Sequence, residues 1–211
     1  MVTEPVITVH ERIYRALRQR VMFGEIKPGC SFTIRGLANE FKVSMTPVRE
    51  SIRRLAAEGA FSMSQSGRIM TIGLSTDRIE ELVSLRNMLE PELAIRALPR
   101  VHTVLINRLS SINNLIEEMI VKENSTGYIQ KNIEFHKTLY LRAQAPAMLA
   151  FLETIWLQSG PTMRYIYDKK IRYQTTYNHR LLLSALRSGS KTDIISSLQA
   201  DVTSCLGMLL D

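Results

Sequence analysis

Cysteine is nearly absent from this sequence. Cys30 and Cys205 are the two thiols in 211 residues, far apart and in no C-x-x-C pattern. That excludes a disulfide framework and a cysteine metal or redox motif, and it suits a reducing compartment. Long apolar runs are missing too. No stretch approaches the ~20 apolar residues of a membrane span, and charges interrupt every apolar stretch of "MVTEPVITVHERIYRALRQR". Neither a transmembrane helix nor a signal peptide is expected. A basic amphipathic helix with aromatic anchors is also lacking, which argues against a peripheral membrane protein. No repeat or low-complexity tract occurs. These absences predict a soluble, cytoplasmic protein with no membrane partner.

What is present is a chain able to build a packed core. Hydrophobic residues make up 45% and charged residues 22%. The net charge of +7 favours an anionic partner. That charge is unevenly spread. The first 73 residues hold 11 Lys and Arg against 6 acids, and the rest of the chain is only slightly basic. The sequence predicts two domains, 1–73 and 74–211, the first basic and of mixed pattern, the second purely helical.

In the first part Ile13, Ala16, Leu17 and Val21 repeat at helical spacing, which predicts a helix over 9–23. "GEIKPG" breaks it. Thr33 can cap a short helix carrying Leu37, Ala38 and Phe41. Then comes "VSMTPVRESIRRL". A proline in mid-helix costs about 3 kcal/mol, but in the first turn its missing N–H has no intrahelical partner to lose. With Ser44 or Thr46 as N-cap, Pro47 marks a helix start, and Gly59 marks its end. Val48, Ile52 and Leu55 form the packed face. Met45, Thr46, Arg49 and Arg53 form the adjacent one. "AFSMSQSGRIMTIG" alternates around Ser66-Gly67, a hairpin with Arg68 beside its tip. Three helices and a hairpin predict a winged helix-turn-helix, whose last helix enters the major groove of double-stranded DNA.

"TIRGLANEF", "VSMTPVRESIRRLAAEGAF" and "SGRIMTIG" resemble the DNA-binding domain of GntR-type bacterial transcription regulators. The resemblance implies DNA contacts from Arg35, Thr46, Arg49 and Gly67. Met45 stands where the family usually has arginine. Methionine cannot hydrogen-bond base edges, so the operator sequence is expected to depart from the commonest family pattern.

From residue 76 onward the only periodicity is helical, interrupted at "PRVHT", "ENSTG", "QAP" and "SGS". About six helices in an all-α bundle are expected. Polar residues fall on its apolar stripes. Arg86 lies within about 60° of Ile79, Leu82, Leu89 and Leu93 at the helical period of about 100° per residue. His136 is central among Ile129, Ile133, Leu139 and Tyr140, with Asn132 one turn before. His179 shares a face with Leu182, Leu183 and Leu186, and Asp201 with Ile194, Leu198 and Cys205. Buried polar groups need partners, and bundles build ligand and metal sites from inward residues on facing helices. Each residue alone is readily a satisfied core group. Together, Asn132, His136, His179 and Asp201 predict a nitrogen and oxygen site for a divalent metal such as Zn, Ni, Mn or Fe.

"SLRNMLEPELA", "NIEFHKTLY" and "NHRLLLSALRSGS" resemble the FCD ligand-binding domain of the FadR-like branch of that family. In its metal-binding members the ligands are an Asp and a His at i, i+4, then two later histidines. Asn132 stands here for the Asp and Asp201 for the last His, so one carboxylate has moved and the charge of the set is kept. The resemblance also implies a small carboxylate or sugar-acid effector, with Arg86 and then Arg164 as its cationic contacts.

The leading function is a one-component bacterial transcription regulator, bound to the nucleoid. A homodimer grips a pseudo-palindromic operator, and an organic acid in the helical domain alters operator affinity. The alternative is a metal-dependent enzyme acting on small carboxylates at the same cluster. It lacks a placed nucleophile and an inward Glu to serve as general base.

Overall fold

The computed structural model describes residues 7–64, 68–168 and 172–205. Helix α1 (Val9–Met22) buries Ile13, Leu17 and Val21. A short strand β1 (Ser31–Thr33) leads into α2 (Ile34–Phe41), where the Thr33 hydroxyl accepts from the Gly36 amide at 3.0 Å as the expected cap. Helix α3 (Met45–Ala57) buries Val48, Ile52 and Leu55 completely. Gly59, at φ +76°, turns the chain out of it, a conformation that costs a Cβ-bearing residue dearly. Strands β2 (Phe61–Met63) and β3 (Arg68–Thr71) pair antiparallel as the expected hairpin. The sheet has a third member that the sequence did not announce. β1 pairs with β3, matching Phe32 to Ile69, to give the order β1-β3-β2.

Ser44 is the N-cap residue of α3, yet its side chain makes no capping bond. The reason lies three residues on. Pro47 holds one of the positions whose N–H a cap normally satisfies, and proline has none. Instead Ser51 ties this helix to α1, donating to the carbonyl of His10 at 2.8 Å.

The second half is helical: α4 (Thr76–Ala97), α5 (Thr103–Val121), α6 (Ser125–Tyr140), α7 (Pro146–Asp168), α8 (Arg172–Ser188) and α9 (Lys191–Cys205). Short 3-10 turns follow α4 and α6. Ser75, His102 and Asn124 cap α4, α5 and α6. The core runs through Leu93, Leu109, Ile116, Phe135, Leu139, Leu152 and Leu198, all fully buried.

The two halves share packing. Leu157 of α7 belongs to the winged-helix core. Gln158 donates to the Glu58 carbonyl at 3.0 Å and accepts from Arg78 at 2.7 Å. Arg18 of α1 reaches both Glu58 (3.3 Å) and Glu153 (3.7 Å). Gly160 lies so close under the end of α1 that a Cβ there would meet the Val21 carbonyl oxygen at 2.2 Å.

Candidate functional site

At the winged-helix end, Arg35, Thr46, Arg49, Arg53 and Arg68 are all exposed. Gly67 lies outside the described residues. Among the described residues, the side chains of Arg35 and Arg49 make no hydrogen bond or ion pair. Arg53 pairs with Glu50 at 3.3 Å, both well exposed, a contact of little energy that a stronger anion can displace. Arg54 differs. It bonds Glu11 at 3.0 Å and lies 3.6 Å over the Tyr14 ring, so it fastens α3 to α1. Met45 is 49% exposed beside Thr46. The start of α3 thus presents open N–H groups, a positive dipole end and an uncommitted guanidinium, the combination that meets a nucleic-acid groove.

In the helical half, three of the four proposed metal ligands converge. The imidazole nitrogens of His136 and His179 and a carboxylate oxygen of Asp201 lie within 4.8 Å of one another, from α6, α8 and α9. His136 Nε2 is 3.2 Å from His179 Nε2 and 3.2 Å from Asp201 Oδ2. All three residues are at most 3% exposed. Asn132, one turn before His136, lines the adjoining cavity with it.

The surrounding bonds fix which ring nitrogens carry hydrogen. Asn113 donates its amide to Glu117 at 3.2 Å, so its oxygen accepts from His179 Nδ1 at 3.0 Å. Tyr140 donates to Glu90 Oε2 at 2.8 Å, so its oxygen accepts from His136 Nδ1 at 3.2 Å. With hydrogen on Nδ1 of each ring, both Nε2 atoms face the same point, where Asp201 adds a carboxylate oxygen. Phe135 stacks on His179 with centroids 3.9 Å apart and locks its plane. Burial drives the pKa of His179 down from 6.5 to about 3, which keeps it neutral. Burial pushes the Asp201 carboxyl up, and neighbouring charge, the Arg86 guanidinium included, more than offsets it and holds the carboxyl below its ordinary value. Three converging acceptors repel unless a cation lies among them. Asp201 Oδ1 is also buried with no hydrogen-bond partner. An orphaned oxygen, two facing Nε2 atoms and Nδ1 atoms held by outer partners together fit a divalent metal.

Arg86 departs from expectation. It is buried and lines the cavity, but its charge is already committed. Its Nε donates to Glu90 Oε1 at 2.6 Å. Burial works against its charge, and Glu90 more than compensates. Glu90, completely buried, is the residue that sequence reasoning missed. It is an inward Glu beside the cluster, contrary to the expectation of none. Yet it faces the Nδ1 side of His136, at 3.8 Å, and is held by both Arg86 and Tyr140, so it is no free general base. Its position four residues after Arg86 was the available signal. Asn113, the second missed residue, carried only its helical phase. Arg164 is not among the residues lining the cavity. It packs against the turn at Gly24, where an added Cβ would stand 3.2 Å from its own.

A winged helix with free arginines at its reading end, joined to a helical bundle with a buried polar cluster, defines a DNA-binding regulator with a sensing domain. Residues 9–69 match the bacterial regulatory proteins of the gntR family, and residues 81–200 match the FCD domain. The chain belongs to the GntR family of transcriptional regulators, in its FCD-containing form. It is 25% identical to the HTH-type transcriptional regulator McbR of Escherichia coli K12, over 83% of this chain and 80% of the relative. It is 27% identical to the gluconate operon transcriptional repressor of Bacillus subtilis 168, over 89% and 79%. The solved structure of E. coli McbR/YncC superposes with a TM-score of 0.88 at 22% identity, covering 97% of this chain and 98% of that one, and so shares the fold. No described helix is long and apolar enough to cross a membrane.

Proposed function

We propose that this regulator binds a pseudo-palindromic operator as a homodimer through its first 73 residues. Its second unit, from residue 74 onward, senses a small carboxylate or sugar acid at a metal-dependent site. Arg49 and Thr46 read base edges, while Arg35, Arg53 and Arg68 meet phosphates. A single winged helix contacts too little DNA for the ~10⁻⁸–10⁻¹¹ M affinities typical of regulators, and two-fold pairing doubles the contacts. The protein acts in the bacterial cytoplasm, at the nucleoid.

His136, His179 and Asp201 hold the metal, with Asn132 available from the cavity wall. When bound, a divalent ion supplies a positive charge that an organic acid's oxygens can share. The effector's dependence on metal follows from charge. Glu90 neutralises Arg86, and Asp201 leaves the metal-free cluster with an anion of its own. A carboxylate is repelled from that state and attracted once two positive charges are added.

The facing Nε2 atoms of His136 and His179 carry this reading. Elemental analysis of protein purified without chelator tests it. One divalent ion per chain is expected in the wild type and none in His136→Ala. The absence of metal from both would end the metal-dependent reading.

A further inference from the structure

Met22 stands between two spaces. On its inner side is the cavity reaching Arg86, Asn132 and His136, with a free volume of about 20 Å³, room for about one water. On its outer side is a groove of about 290 Å³ between α1, α6 and α7, edged by Arg18 and Lys137. Three side chains line both spaces: Met22, Ile133 and Trp156. They are the partition. Ile133 and Trp156 belong to the helical half. Met22 alone comes from the DNA-binding half, as the last residue of α1.

The three differ in how readily they yield. Trp156 stacks on Tyr140, centroids 6.3 Å apart. Ile133 is β-branched and stiff in a helix. Met22 is unbranched, with three rotatable bonds. Its backbone, however, has little freedom. A Cβ on Gly160 would lie 2.8 Å from the Met22 Cα, so α1 and α7 are in backbone contact at that point. The side chain can swing; a larger displacement has to lift the end of α1 from α7.

We infer that Met22 is the gate and the size-determining residue of the buried site. A ligand larger than a water enters from the groove between the halves and gains its space by displacing Met22. Any such ligand then presses on the helix that carries α3 through Ser51 and Arg54. This rests on reading the cavity as the effector site, and it supplies the differential contact that effector control of DNA binding needs.

Trp156 is the single tryptophan of the chain and is 4% exposed, so its fluorescence reports on the partition without any ligand. Acrylamide quenching of the full-length protein is expected to be weak in wild type and in Met22→Leu, and several-fold stronger in Met22→Ala. Met22→Val, a smaller truncation, should fall between and serves if the alanine variant does not fold. Co²⁺ uptake, followed by its visible absorption, should be several-fold faster in Met22→Ala. Quenching and Co²⁺ uptake both unchanged would overturn the gate while leaving the metal site standing. Strong quenching in Met22→Ala with no Co²⁺ bound by any variant would support the gate and remove the metal site.

Discussion

Gly160 lies directly beneath the Val21 carbonyl, with no room between them for a methyl group. Here the backbone of the sensing bundle touches the backbone of the winged helix. Gly160→Ala is expected to cost about 1–3 kcal/mol, as overpacking does. Chemical denaturation measures it. A variant as stable as wild type would mean that the two helices part easily at this contact.

The buried pair of Arg86 and Glu90 sets a second expectation. Removing one partner of such a pair strands the other, at about 3–5 kcal/mol, whereas replacing both by apolar residues is often neutral. Glu90→Gln should therefore be strongly destabilising, and Arg86→Met with Glu90→Leu much less so. Equal losses in both would show that the charge is not what Glu90 balances.

Acid should weaken the fold early. In the unfolded chain His179 takes up a proton as pH falls below its ordinary 6.5, but burial holds the folded residue neutral down to about 3. The unfolded state binds the extra proton throughout that window. Stability should fall with pH there, by at most about 1.4 kcal/mol per pH unit. Asp201 adds to the loss only lower down. Its carboxyl sits below the usual 3.8, so its stabilisation is full above that value and disappears as pH drops through the folded one. Melting temperatures of metal-free protein between pH 7 and 4 should show the slope in wild type and a flatter one in His179→Gln. Equal slopes would place the acid sensitivity elsewhere.

Much of this is legible in the sequence. Pro47 announced the start of α3 because helix ends leave N–H groups unpaired. Helical phase alone turned His136, His179 and Asp201 inward, and they meet. The β1 strand was invisible because Ser31–Thr33 is too short to show alternation, and its pairing with β3 is non-local. Glu90 was legible in principle, since it lies one turn after the inward Arg86 and on the same stripe. Asn113 had no local signal, since its role depends on facing a histidine 66 residues later. Met22 carried no signal of its own within the helix expected over 9–23. Its place in the partition depends on how α1 lies against α7, which no period in the sequence encodes.

Arginine roles at the DNA face should separate by readout. Arg49→Ala is expected to cost about 1–3 kcal/mol and to relax sequence preference, if its contact to guanine is bidentate. Arg35→Ala should weaken binding to all sequences and reduce the salt slope by about one. Titrations at several salt concentrations distinguish them. Arg49→Ala with unchanged affinity for operator and scrambled DNA alike would remove α3 from base reading.

Selection from a pool of random-sequence duplexes by the full-length protein addresses DNA recognition most directly. Enriched duplexes should carry two inverted half-sites about one helical turn apart, and Arg49→Ala should lose that enrichment. A pool that stays unenriched under wild-type selection, or that yields a single unpaired site bound by one chain, would contradict recognition of DNA by a two-fold dimer through α3.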